Sequence, residues 1–153
     1  MEFKKPYLTD RNIEEIVDNY PFGHLVTSID LGGIPNSTFK VTTTLDKVFV
    51  IRVYGQGQSS LEHIIFEHEV LRHLEAYDFP SPKLLKAKNN EQLIQWNGYW
   101  ACATDFIEGE LADKIKRTPS LMRSVGKLLA IYQKIMQTPK ISVPKGETFI
   151  ERG

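Results

Sequence analysis

Apolar residues recur along this chain with a period that changes from segment to segment, and those changes mark out its elements. Ile13, Ile16, Val17 and Tyr20 fall at i, i+3, i+4 and i+7. That spacing predicts a helix from Asp10, as N-cap, to about Tyr20, stopped by Pro21. Two stretches of strand character follow, over 25–31 and 38–45, separated by the small and turn-forming run Gly32-Gly33-Ile34-Pro35-Asn36-Ser37. A third strand is predicted over 48–54, after a turn at Asp46-Lys47.

The polar run from Gly55 to Ser60 breaks this pattern, and Ser59 or Ser60 is placed to cap a helix reaching about Tyr77, before Pro80 and Pro82. A hairpin is predicted from strands at 92–96 and 99–106, joined by Asn97-Gly98, a pair that favours a type I′ turn. Thr118 caps a last helix with Pro119 at its first position, and Pro139 ends it. Its apolar stripe is Leu121, Val125, Leu128, Leu129, Tyr132, Ile135 and Met136. The expected fold class is α+β: a five-stranded, mostly antiparallel sheet with helices in the order α-βββ-α-ββ-α.

Composition narrows the classes of function. The 153 residues suffice for one real core, and 41% hydrophobic with 25% charged residues argues against disorder. Nineteen basic and nineteen acidic side chains cancel, so neither nucleic acid nor an anionic membrane is an expected partner. The single cysteine, Cys102, can form no internal disulfide and is too few for a zinc site. The N-terminal residues lack the apolar core of a signal peptide, and no apolar run approaches membrane-spanning length. The expectation is a cytoplasmic protein.

Four features have a physical reason to touch a nucleotide. Glycines in the 32–37 turn let backbone N–H groups approach phosphate oxygens, although such a turn by itself is usually only a turn. Arg52 is the one charge within an apolar strand, so it either reaches out to solvent or finds an anion. On the helix after Ser60, Glu67 projects from a stripe formed by Leu61, Ile64, Ile65, Leu71 and Leu74, whereas Glu69 sits nearer its margin. Arg52 is the candidate partner for Glu67, with a local pairing to His63 as the other possibility. Finally, the strand exit Ala103-Thr104-Asp105-Phe106-Ile107-Glu108-Gly109-Glu110 offers free backbone groups, a carbonyl at Asp105 and an N–H at Ile107, that could read an adenine edge.

Taken in order, these segments resemble the superfamily of aminoglycoside phosphotransferases and choline and homoserine kinases. The resemblance runs through 31–39, Val50-Ile51-Arg52-Val53, 66–74 with the proline-rich exit at 79–82, the hinge-like 105–110, and 125–132. It covers roughly 22–137, and the homoserine-kinase-like branch looks nearest. The resemblance implies an ATP-binding lobe over 1–107 and the start of a second lobe over 108–153. Gly32, Gly33, Asn36 and Ser37 would lie over the phosphates. Arg52 paired with Glu67 would hold them, and Thr104, Asp105 and Ile107 would meet the adenine. In full-length form such an enzyme would move the ATP γ-phosphate to a hydroxyl of a small substrate with the help of Mg2+.

The family's catalytic loop, His-x-Asp followed by Asn, has no counterpart in the sequence. His24, His63, His68 and His73 are its only histidines, and none has aspartate two residues on. Past the hinge the only aspartate is Asp113. No catalytic or metal-binding residue is therefore assigned, and a chain inactive on its own is expected. It reads as a truncated kinase, with a non-catalytic nucleotide-binding or protein-interaction module as the alternative. The last helix's stripe needs a cover, which a second lobe or self-association would supply.

Overall fold

A computed structural model describes residues 6–56, 60–111 and 114–138 of the chain. Helix α1 spans Asp10–Val17 and packs Ile13, Ile16 and Val17 inward. Its N-cap is Thr9 rather than Asp10: the Thr9 hydroxyl accepts from the Asn12 N–H, and the Asn12 side chain accepts from the Thr9 N–H. The helix also ends a turn early. Tyr20 reaches the core from a turn in which its N–H donates to the Val17 carbonyl.

Strands β1 (Leu25–Gly32), β2 (Ser37–Thr43) and β3 (Val48–Val53) form the expected meander. Helix α2 (Leu61–Ala76) follows, capped by Ser60. Next come β4 (Leu84–Leu85), β5 (Leu93–Trp96) and β6 (Tyr99–Asp105), and finally α3 (Pro119–Met136), capped by Thr118. Asn97 and Gly98 both take positive φ, as a type I′ turn requires. Ser59, Asp113 and Pro139 lie outside the described residues.

The sheet has six strands where the sequence predicts five, in the order β1-β2-β3-β6-β4 with β5 on β6. The additional strand, β4, is two residues long and carries no period of its own. It exists because Leu84 and Leu85 pair with Thr104 and Ala103.

The two sheet faces are covered by different helices. On one, α1 and Tyr20 meet Phe39, Val41, Phe49, Ile51, Val53, Ala101 and Ala103 in the main core. On the other, Ile64 of α2 packs with Tyr54, Leu84 and Cys102. Burying these side chains, at roughly 1.5–3 kcal/mol for each large one, is what holds the helices to the sheet.

The α2 stripe departs from expectation, and the α3 stripe has little cover. On α2 the inward line is Ile64, His68 and Leu74, while Leu61 and Ile65 are exposed. On α3 only Ile135 is buried, and Met122, Val125, Leu128, Leu129 and Ile131 face solvent among the described residues. The helix touches α2 near its end, where the Ile135 carbonyl lies 3.1 Å from His73 Nε2. Tyr132 also packs on Phe79, with ring centroids 5.7 Å apart.

Candidate functional site

Strand alternation decides which side chains share a face. Phe49, Ile51 and Val53 of β3 turn toward the α1 core, so Val50 and Arg52 turn toward α2. Cross-strand pairing extends this into two rows. Thr38 and Cys102 flank Arg52, and Lys40 and Thr104 flank Val50.

Over this face α2 presents Glu67, whose carboxylate Oε1 accepts from Arg52 Nη1. The alternative pairing does not form, since the His63 ring lies 2.7 Å from the Ser60 hydroxyl instead. Beside the ion pair is a pocket of about 210 Å3 lined by Val50, Arg52, Glu67, Leu71, Pro82, Cys102 and Thr104. That is below the roughly 300–1,000 Å3 of small-ligand sites, so it can take only part of a nucleotide.

The glycine turn closes the end of β1 and β2. Gly32 and Gly33 sit at φ of 79° and 108°, where a β-carbon is penalised. Asp30 accepts from the Gly32 N–H at 2.7 Å. Behind the turn, the Asn36 carboxamide oxygen accepts from the Gly55 N–H at 3.1 Å. Gly55 approaches so closely that a β-carbon there would lie 2.5 Å from the Pro35 carbonyl oxygen. Ser37 is buried on the Phe39 and Val41 side, and its hydroxyl donates to the Pro6 carbonyl at 2.6 Å. The Ser37 side chain therefore points away from Arg52, and that of Asn36 braces the turn from within.

At the other end of the face, Asp105 is tied to Lys83 twice. Its N–H donates to the Lys83 carbonyl at 3.0 Å, and its carboxylate accepts from the Lys83 N–H at 2.6 Å. Thr104 lines the pocket, and Ile107 is exposed. The Phe106 ring between them carries Lys40 Nζ 3.8 Å above its centroid.

Under the ion pair lies a buried polar trio. The Tyr54 hydroxyl is 3.3 Å from His68 Nε2 and 3.5 Å from Cys102 Sγ. Burial, helped by the nearby Arg72 and Arg52 charges, pulls His68 down to about 4. Burial pushes the Cys102 thiol up to about 11. All three are neutral near pH 7, so the trio links β3, β6 and α2 without competing for Arg52.

The structure thus brings Arg52, Glu67 and Thr104 together around one pocket, with the Gly32-Gly33 turn and the Asp105–Ile107 backbone at opposite ends of the same sheet. Thr38, Lys40, Val50 and His68 were not singled out in the sequence. The first three were available from the alternation of β2 and β3, and His68 from its place four residues after Ile64. Among the described residues no group of three His, Cys, Asp or Glu side chains is arranged to hold a metal ion. Nor is any described helix long and apolar enough to cross a membrane.

Comparison with known proteins bears on the family and the fold. The model for the phosphotransferase enzyme family matches residues 27–147. A homoserine kinase from Zymomonas mobilis subsp. mobilis is 26% identical over 104 residues, which is 67% of this chain and 32% of that protein. Among solved structures, a microcompartment-associated aminopropanol kinase superposes with a TM-score of 0.73 at 15% identity, over 92% of this chain and 44% of that one. An amicoumacin kinase in complex with AMP-PNP and Ca2+ gives 0.76 at 12% identity, over 95% and 46%. A spectinomycin phosphotransferase in complex with ADP and spectinomycin gives 0.63 at 16% identity, over 92% and 40%. The chain therefore spans about a third of the homoserine kinase and under half of each solved kinase. Its α+β sheet and helices have the fold of the kinase-like N-terminal lobe, followed by one further helix.

Proposed function

Because this chain belongs to the phosphotransferase enzyme family, we propose that it holds ATP for phosphoryl transfer to a hydroxyl of a small molecule. One observation carries this reading: the Arg52–Glu67 ion pair stands beside a pocket lined by Val50, Leu71 and Thr104. ATP supplies the phosphoryl group, and the residues of this chain bind and orient it. Glu67 holds one terminal nitrogen of Arg52 and fixes the guanidinium plane, so the remaining donors are aimed rather than free to wander. The Gly32 N–H is held by the Asp30 carboxylate, so the Gly33 N–H is the backbone donor that approaches the phosphates, helped by a turn that Asn36, Gly55 and Ser37 brace from behind. Val50 and Thr104 give the base a partly apolar floor. The N–H and carboxylate of Asp105 are engaged by Lys83, so its carbonyl is what it offers the base, beside the Ile107 N–H.

The described residues offer groups for the phosphate and base ends of a nucleotide, and no step is assigned to a metal here. The acceptor hydroxyl is not assigned either, because no residue of this chain is identified as its base. The lobe is proposed to be residues 1–107, with 108–153 opening the segment that follows.

The test is calorimetric titration of the protein with ATP, beside Arg52→Ala. Saturable binding that the substitution weakens by about tenfold supports the reading. Equal affinity in both proteins overturns it.

A further inference from the structure

We propose that Lys40 makes this face select a charged nucleotide over the bare nucleoside, an inference that rests on the nucleotide reading above. Lys40 lies on β2 opposite Val50, on the Arg52 face of the sheet. Its Nζ stands 3.8 Å above the centroid of Phe106, between the two residues whose backbone is assigned to the base. Phe106 follows β6, and β3 lies between β2 and β6. The lysine chain and the ring therefore meet across β3 near Val50, next to the hinge backbone that a base would read.

The charges on this face are unevenly matched. Arg52 is countered by Glu67, whereas Lys40 takes part in no ion pair among the described residues. A base entering the slot must lift Lys40 from Phe106, and a half-exposed cation–π contact of this kind corresponds to about two- to fivefold in affinity. Adenosine gives the displaced ammonium nothing in return. ATP offers it anionic oxygens within the same site, and Arg52 with its counter-charge leaves part of the triphosphate charge unmatched. Lys40 therefore penalises the nucleoside and spares the nucleotide.

The experiment measures adenosine and ATP affinities by displacement of a fluorescent ATP analogue from the intact protein, Lys40→Met, Phe106→Leu and Arg52→Ala. Lys40→Met keeps the aliphatic stem, and its far-UV spectrum and melting curve check the fold. The expected result is adenosine binding about two- to fivefold tighter in Lys40→Met, with ATP no tighter, so that the preference for ATP falls. Phe106→Leu frees the lysine but keeps its charge, and should tighten adenosine without weakening ATP. Adenosine affinity unchanged or weaker in both variants overturns the inference. If ATP binding still depends on Arg52 in that case, the nucleotide reading stands and only the role of Lys40 fails. ATP binding indifferent to Arg52 removes both.

Discussion

Arg52 and Glu67 meet across the gap between β3 and α2, fifteen residues apart in the chain and each more than a third exposed. An ion pair open to solvent to that degree contributes little to stability, roughly 0–1 kcal/mol. Its consequence is orientation, since it fixes a guanidinium over the pocket and ties the strand to the helix. Arg52→Ala and Glu67→Ala should therefore separate two properties. Thermal stability should shift by no more than about 1 kcal/mol, while ATP affinity should fall about tenfold in Arg52→Ala. Arg52→Lys should retain part of the binding, because the charge remains while the planar fork is lost. Melting curves and calorimetry on the same samples test both halves, and a large stability loss with unchanged affinity would contradict the assignment.

Gly55 is the point where the turn is pressed against the end of β3. A β-carbon there would stand 2.5 Å from the Pro35 oxygen and 3.2 Å from its carbonyl carbon, with backbone rather than a flexible side chain in the way. Gly55→Ala should cost about 1–3 kcal/mol in denaturant unfolding and also weaken ATP binding as the turn shifts. Wild-type stability would mean that the turn yields freely.

His68 sets a pH dependence. Its folded value, about 4, is below the ordinary 6.5, so between the two the unfolded chain binds the proton and the folded one does not. The stability associated with this group is intact above 6.5, is lost as pH falls toward 4, and changes no further below that. The loss is on the order of 3 kcal/mol. Urea midpoints measured from pH 7 to 4 should slope downward in wild type and more gently in His68→Gln. Parallel slopes would remove His68 as the cause.

Gly126 offers a contrast with Gly55. It lies within α3, and a β-carbon added there would meet nothing within 4 Å. Gly126→Ala should raise stability by about 0.5–1 kcal/mol by restricting the unfolded chain, with ATP binding unchanged. A lower melting temperature would indicate that the exposed face of α3 makes a close contact in solution.

Local rules were enough for much of this molecule. Periodicity and capping chemistry were enough to locate α1, α2, α3 and the hairpin, although the α1 cap fell on Thr9, because a helix stripe, a Thr118-Pro119 start or an Asn97-Gly98 turn depends on residues close in the chain. The selection of Glu67 over Glu69 also came from helical spacing alone. Tertiary structure decided what depends on distant partners. It made Leu84–Leu85 a strand by giving it β6 to pair with, and it put His68 into the α2 core against Tyr54. It turned Ser37 toward Pro6 and away from Arg52, and left Val125, Leu128 and Leu129 of the α3 stripe open. Each of these outcomes rests on a hydrogen-bond partner or a packing surface supplied from elsewhere in the chain, and a local period carries no information about those. The joining of Arg52 to Glu67 belongs to both levels: the sequence supplied the two charges, and the packing of α2 on the sheet brought them within reach.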